Sequence, residues 1–235
     1  MKIGGFQKYS LIDYPGKVCA IVFTIGCNFR CPFCHNGELV IGNPEEIPSK
    51  IIFEYLEKNK NLLDAVEITG GEPTLQADLK DFVKKIKNLG LLVKIDTNGT
   101  QSNVIKGLID DGLVEYIAMD IKAPLEFEKY KKVVGGVLNE RMFENVKKTI
   151  EIIMGSGIDY EFRTTVVPML HSDEDIVAIA RGIKGAKLYV LQQFIPRNTL
   201  DSSFLKLLST PKEKLEELKK KCEEFVKKVD VRYEE

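Results

Sequence analysis

Three cysteines fall within eight residues of the segment Gly26 to Asn36, GCNFRCPFCHN: Cys27, Cys31 and Cys34, spaced C-x3-C-x2-C. Thiolates bring soft-metal and cluster chemistry, and both a structural zinc site and an ordinary iron–sulfur cluster take four protein ligands. Three ligands leave a coordination position open, and an open position lets a metal site engage a substrate rather than only brace a fold. Zinc is the competing reading, with Cys27, Cys31, Cys34 and His35 as a Cys3His set. Neighbouring Cys34 and His35 reach two corners of one tetrahedron awkwardly, and a chain this long does not need the folding energy of a closed zinc knuckle. Cys19, in the apolar run VCAIVF, and Cys222, on the apolar side of the last helix, read as small buried hydrophobes.

The elements that must position these thiols alternate. Apolar, β-rich runs at Val18–Ile25, Ala65–Thr69, Leu91–Asp96, Val114–Ile121, Tyr160–Val167 and Lys187–Phe194 are separated by amphipathic helical patterns over Ser49–Asn59, Leu79–Leu89, Asn103–Asp111, Asn139–Met154 and Asp173–Lys184. Leu79, Phe82, Val83, Ile86 and Leu89 keep 3.6-residue spacing, and Gly90, Gly112 and Gly185 punctuate helix ends. Strand, helix, strand in this order implies parallel βα units with right-handed crossovers. The fold class is therefore α/β, a partial (β/α)6 TIM-like barrel, because eight units of about 35 residues would overrun the 235 available. Thr210, Pro211 and Glu213 form the pattern of a capping box, opening a helix over 210–229 with Leu215, Leu218, Cys222, Phe225 and Val229 on one face. This C-terminal helix covers the barrel. With no linker or low-complexity tract, residues 1–235 read as one domain with its core over about 16–200.

Every segment rich in Gly, Pro or functional polar groups falls just after a strand or at its last residues: the cysteine loop, TGGEP, DTNG, DIKAP, VVP and QQFIP. In a parallel barrel those positions share one rim, where sites are built. Gly70, Gly71, Glu72 and Pro73 let backbone approach a ligand closely, or simply turn the chain. Asp96, Thr97, Asn98, Asp120 and Lys122 are rim polar groups whose bland reading is an ion pair and a helix cap. Arg163 lies within the fifth strand, and Gln192 and Gln193 within the sixth; alternation alone leaves open which of them point into the barrel. His171, beside Ser172 and Asp173, reads as part of a helix start rather than a ligand.

Bulk properties exclude partners more than they suggest them. Lys and Arg number 34 against 35 Asp and Glu, a net charge of -1, so nothing electrostatic favours nucleic acid or an anionic membrane. The opening MKIGGFQKYSLIDYPG has no basic segment followed by an apolar run, and no apolar stretch approaches the roughly 20 residues of a membrane span. Five cysteines, an odd and clustered set, do not read as a secreted disulfide framework. The expected setting is the cytoplasm, with reduced thiols.

CNFRCPFC, with the aromatic Phe33 just before the last cysteine, resembles the cluster motif of the radical S-adenosylmethionine (radical SAM) superfamily, and GGEP resembles its second motif. GFQKYSLIDYPGKVCAIVFTIGCNFRCPFCHNGELV, TGGEPTLQ, DTNG, MDIKAP, EFRTTVVP and YVLQQFIP extend the resemblance over most of Gly4 to Thr199, to the activating proteins of glycyl radical enzymes and specifically of anaerobic ribonucleoside-triphosphate reductase. The resemblance implies one 4Fe-4S cluster on Cys27, Cys31 and Cys34, whose open iron chelates the amino and carboxylate groups of S-adenosylmethionine. It also implies reductive cleavage of the sulfonium to methionine and a 5'-deoxyadenosyl radical, which takes a hydrogen atom from one glycine of a partner enzyme. Phe33, Gly70, Gly71, Glu72, Pro73, Asp96, Thr97, Asn98, Asp120 and Lys122 would then face the cofactor. Lys122 would pair with the methionine carboxylate, Asp96 and Asp120 would hold polar groups or a monovalent cation, and Phe29, Pro32 and Phe33 would shield the cluster. A flavodoxin- or ferredoxin-type protein would donate the electron. With only Cys19 and Cys222 left over, a second conventional cluster is excluded. Two alternatives stay open: a small-molecule radical SAM enzyme similar to 7-carboxy-7-deazaguanine synthase, and a non-catalytic electron-transfer or zinc protein. The GFQ to LIDYPGK lead and QQF favour the activator.

Overall fold

Period-two alternation on the strands decides where everything else sits. The computed structural model describes residues 1–41 and 44–233; the sheet has eight strands in sequential order. The six expected strands are β2 (Cys19–Thr24), β3 (Ala65–Gly70), β4 (Leu92–Thr97), β5 (Tyr116–Asp120), β6 (Asp159–Val166) and β7 (Tyr189–Gln193). All six are parallel neighbours. The helices α2 (Ser49–Asn59), α3 (Leu79–Asn88), α4 (Ser102–Asp110), α6 (Glu140–Gly155) and α7 (Asp173–Gly182) make the crossovers, and α1 (Gly37–Ile41) and α5 (Phe127–Val133) are short additions after β2 and β5.

Two strands extend the expected six. β1 (Ile3–Ser10) pairs antiparallel with β2, and β8 (Val229–Arg232) pairs parallel with β7. IGGFQKYS hides as a strand because two glycines and a polar tail mask its alternation, and VDVR is only one turn's worth of signal. The expected helix over 210–229 is corrected: α8 spans Lys212–Cys222. Its apolar spacing continues through Phe225 and Val229, but the backbone there bonds elsewhere. Gly185 N donates to Phe225 O at 2.8 Å, Lys227 N to Ala186 O at 2.9 Å, and Tyr189 N to Lys228 O at 3.0 Å, so sheet pairing overrides helical spacing. The capping box is corrected too: Thr210 Oγ1 donates to Val166 O at 2.5 Å, and α8 has no side-chain cap.

Outward strand residues and helix faces form the larger core. On α3, Leu79, Phe82, Val83 and Ile86 are buried, each worth about 1.5–3 kcal/mol of transfer free energy. Inward residues form a second, smaller apolar cluster of Tyr14, Cys19, Ile21, Ala65, Tyr116 and Ala118, the floor of the barrel. Cys19 and Cys222 are both fully buried, as their apolar settings imply.

Candidate active site

The cysteine loop leaves β2 and is fastened on several sides by backbone hydrogen bonds. Gly26 N donates to Leu39 O (2.8 Å), Arg30 N to Val134 O (3.0 Å), Leu200 N to Cys34 O (3.0 Å) and Asp201 N to Pro32 O (2.9 Å). Cys27, Cys31 and Cys34 line one cavity of about 270 Å³ together with Phe29, Phe33, Gly70, Gly71, Glu72, Asp96, Thr97, Asn98, Asp120, Lys122, Arg163 and Gln192. Burial pushes the Cys27 thiol up to about 11 and Cys31 up to about 12, and raises Cys34. Such thiols stay protonated until metal takes the proton's place. Phe29 N already points at Cys27 Sγ, 3.4 Å away. Among the described residues no three His, Cys, Asp or Glu side chains are grouped to hold a single metal ion. A cluster asks something different of the thiols, one iron each.

The GGEP glycines serve the scaffold first. Gly70 has φ +106°, and a Cβ there would stand 2.4 Å from Thr24 N; at Gly71 it would stand 2.1 Å from Gly26 O. Only glycine permits that approach. Gly71 N donates to Thr24 O and Glu72 N to Gly26 O, both at 2.8 Å, so this turn grips the root of the cysteine loop. Glu72 is 1% exposed and its carboxylate is fully engaged. Oε1 accepts from Thr74 N (3.1 Å), Thr74 Oγ1 (2.5 Å) and Thr97 Oγ1 (2.8 Å), and Oε2 accepts from Asn98 N (2.6 Å). Burial raises its pKa against the pull of those donors. Glu72 thus ties GGEP to DTNG, while Pro73, buried at the start of a 3-10 turn, falls outside the cavity lining.

Asn98 completes the link. Its Nδ2 donates to Asn28 Oδ1 at 2.9 Å and lies 3.9 Å from Cys27 Sγ, and its Oδ1 accepts from Thr100 N and Oγ1 at 3.0 and 2.7 Å.

The opposite wall is charged. Lys122 Nζ lies 2.8 Å from Asp120 Oδ2 and 5.9 Å from the centre of the Phe33 ring, within cation–π range. Burial would lower its pKa, but the groups around it, Asp120 first and then Cys31 and Cys34, together outweigh burial and hold the ammonium charged. The backbone on either side is pinned: Lys122 N donates to Tyr130 Oη at 3.2 Å, and His171 Nε2 donates to Lys122 O at 2.8 Å. Val167 N donates to His171 Nδ1 at 3.0 Å, so this histidine is a neutral Nε2–H tautomer, with burial lowering its pKa. It braces the rim, and Ser172 with Asp175 forms the capping box of α7.

Arg163 points inward. Its Nη1 is 2.9 Å from Asp96 Oδ2 and its Nε 3.0 Å from Asp120 Oδ1, so one guanidinium spans the two carboxylates expected to hold polar groups or a cation. Burial would raise Asp96, but Arg163 and then Lys94 outweigh it and hold the carboxyl well below the carboxylate range. Lys94, 1% exposed, lies 3.0 Å from Glu67 Oε2 and 3.1 Å from Asp96 Oδ1. Neither oxygen makes a hydrogen bond of ordinary geometry, so the Lys94 contacts are ion pairs. Burial, and then the Asp96 charge, raise the Glu67 pKa well above the usual range. Gln192 faces the cavity, while Gln193 points away and donates to Thr210 O at 2.7 Å. His35 lines the cavity and its Nε2 donates to Ile195 O at 2.9 Å.

Sequence reasoning missed Glu67 and Lys94. The signal was present: isolated charges in the apolar runs AVEIT and LLVKID, directly opposite on the neighbouring parallel strands β3 and β4 and of complementary sign.

A sequence model of the Radical SAM superfamily matches residues 21–183. Over 232 residues, 98% of this chain and 95% of the other, the sequence is 37% identical to a Methanocaldococcus jannaschii protein provisionally named a glycyl-radical enzyme activating enzyme. It is 28% identical over 206 residues to the pyruvate formate-lyase-activating enzyme of Clostridium pasteurianum, covering 85% of this chain and 83% of that enzyme. Among solved structures, Streptococcus suis SuiB bound to S-adenosylmethionine superposes with a TM-score of 0.68 at 15% identity, over 92% of this chain. The chain spans about half the length of SuiB, 50%, and the likeness is one of fold.

Proposed function

Because the chain belongs to the radical SAM superfamily, we propose that it is the activating enzyme of a glycyl radical enzyme, with anaerobic ribonucleoside-triphosphate reductase as the partner. The reaction would remove one hydrogen atom from a glycine Cα of the partner, leaving a glycine-centred radical and 5'-deoxyadenosine. The observation that supports the activating role is full-length: similarity to a protein named for glycyl-radical enzyme activation runs over 98% of the chain, including the strands and loops that build the mouth. A flavodoxin- or ferredoxin-type electron donor and a cytoplasmic setting belong to the same proposal; among the described residues no helix is long and apolar enough to cross a membrane.

The donor set fits a 4Fe-4S cluster. Three soft ligands on one loop share a cavity, and neighbouring N–H groups are aimed at the sulfur of Cys27. Cys27, Cys31 and Cys34 would hold it. When bound, the cluster supplies the single electron that splits the sulfonium of S-adenosylmethionine. The remaining work belongs to side chains of this chain. Lys122 offers a fixed positive charge for the methionine carboxylate, oriented by Asp120 and seated over Phe33. Phe29 and Phe33, 2% and 5% exposed, keep water from the thiols. Arg163, Asp96 and Asp120 present a preorganised polar wall, which costs no reorganisation during reaction. Asn98 and Glu72 hold the two rim loops in register with the cysteine loop.

The test is to mix anaerobically reconstituted protein with a strong reductant, S-adenosylmethionine and the candidate reductase. A glycine-centred doublet in the electron paramagnetic resonance spectrum, with 5'-deoxyadenosine formed in step, is the expected result. Turnover of S-adenosylmethionine without any radical on the reductase would reject that partner.

A further inference from the structure

The last strand of the sheet reaches into the barrel with one side chain. Arg232 on β8 forms a two-pronged pair with Glu161, Nη1 to Oε1 at 2.7 Å and Nη2 to Oε2 at 2.6 Å. Glu161 is fully buried, and Tyr116 Oη also donates to its Oε2 at 3.0 Å. Its Oε1 lies 3.9 Å from Arg163 Nη1, the same nitrogen that bonds Asp96 Oδ2 at 2.9 Å. Two carboxylates therefore stand near one guanidinium nitrogen, and each has a further cation, Arg232 for Glu161 and Lys94 for Asp96.

We propose that Arg232 is a positioning residue for the site: by saturating Glu161 it leaves Arg163 to bridge Asp96 and Asp120. The effect on S-adenosylmethionine binding rests on the functional reading above; the effect on Arg163 does not. A buried carboxylate stripped of its partner is costly and draws the nearest cation. Without Arg232, the partners left to Glu161 among the described residues are the Tyr116 hydroxyl and Arg163. Arg163 Nη1 then swings from Asp96 toward Glu161, and Asp96 is left with Lys94. A bidentate guanidinium pair fixes direction as well as charge, which a lysine side chain in place of Arg232 would not reproduce.

The experiment compares the wild-type chain with R232M, R232K, E161Q and the double variant E161Q/R232M. In a crystal structure of R232M, Arg163 Nη1 is expected within hydrogen-bond distance of Glu161 rather than Asp96. In the reconstituted holoprotein, R232M should weaken S-adenosylmethionine binding about tenfold, a coupling of ordinary size for groups in one network. E161Q/R232M should return to within about twofold of wild type, since the neutral amide that replaces the Glu161 carboxylate no longer competes, and E161Q alone should change little. If Arg232 only tethered β8, removing the charge of Glu161 would not rescue it. Arg163 unmoved in R232M, or no recovery in the double variant, overturns the proposal. Should R232M fail to fold, R232K decides: the proposal requires that it bind less tightly than wild type and that E161Q restore it. Wild-type holoprotein that binds no S-adenosylmethionine would count against the functional reading, and the crystal structure would still decide the role of Arg232.

Discussion

The Lys122 ammonium stands 2.8 Å from the Asp120 carboxylate, and both side chains open onto the cavity that the three thiols line. The pair sits on a single strand-to-loop junction, i and i+2, and is braced from a distance by His171 on the Lys122 carbonyl and Arg163 on the Asp120 carboxylate. K122M should leave iron loading near wild type while raising the dissociation constant of S-adenosylmethionine about tenfold or more, as removal of one member of a desolvated charge pair does. Iron analysis alongside equilibrium binding separates the two. Loss of iron in K122M would mean that the lysine supports the cysteine loop instead.

At Gly71 the constraint is steric. A Cβ would stand 2.1 Å from Gly26 O, on the backbone that leads into Cys27. G71A is expected to destabilise the fold by about 1–3 kcal/mol and to impair cluster uptake, because the turn and the cysteine loop cannot both keep their places. Denaturant unfolding and iron content after reconstitution check this. Full stability with full iron loading would show that the loop yields more easily than its hydrogen bonds imply.

His171 carries the pH dependence of the rim. Burial depresses its pKa in the fold, so the unfolded chain binds more protons as pH falls through the ordinary histidine value of about 6.5. Its contribution is present above that pH and is lost below it, since protonation would place a hydrogen on Nδ1 where Val167 N–H already points. The stability gap between wild type and H171N should narrow from pH 7.5 to pH 5.5 in thermal unfolding. A gap that holds constant across that range would contradict the neutral tautomer.

Glu67 and Lys94 make a second charge test inside the barrel. Burial, and then the Asp96 charge, raise the Glu67 pKa well above the usual range, so E67Q is expected to replace like with like. Its cost should stay below about 1 kcal/mol at pH 7. K94M, by contrast, strips Asp96 of one partner in a buried setting and should cost about 3–5 kcal/mol. The sign for Glu67 also follows: with a raised folded pKa, its contribution is largest at low pH and declines as pH rises. Equal costs for the two variants would mean that Glu67 is ionised and paired.

How much of this was legible in the sequence depends on the range of the interaction. The cysteine loop, GGEP, DTNG and Lys122 are local patterns on consecutive strand ends, and a sequential parallel sheet brings them to one cavity. What the sequence withheld was set by partners far along the chain. Arg163 bonds Asp96, 67 residues away, and Arg232 bonds Glu161, 71 residues away; alternation gives each side chain a face only once the register between strands is known. Glu72 reads as a ligand because its motif does, and its use as a tie to Thr97 and Asn98 appears only when the two loops meet. The end of α8 escaped for a similar reason: 225–228 has helical spacing but bonds to Gly185, Ala186 and Tyr189, just ahead of β7 and at its first residue.

The proposed role of Cys27, Cys31 and Cys34 is to hold a cluster that leaves one iron for S-adenosylmethionine. Its most direct measurement is the yield of 5'-deoxyadenosine from anaerobically reconstituted, reduced protein, wild type against C31A. Formation by wild type and none by C31A is the predicted result. A wild type that takes up zinc in place of iron and forms none, or a C31A protein that forms as much as wild type, would contradict it.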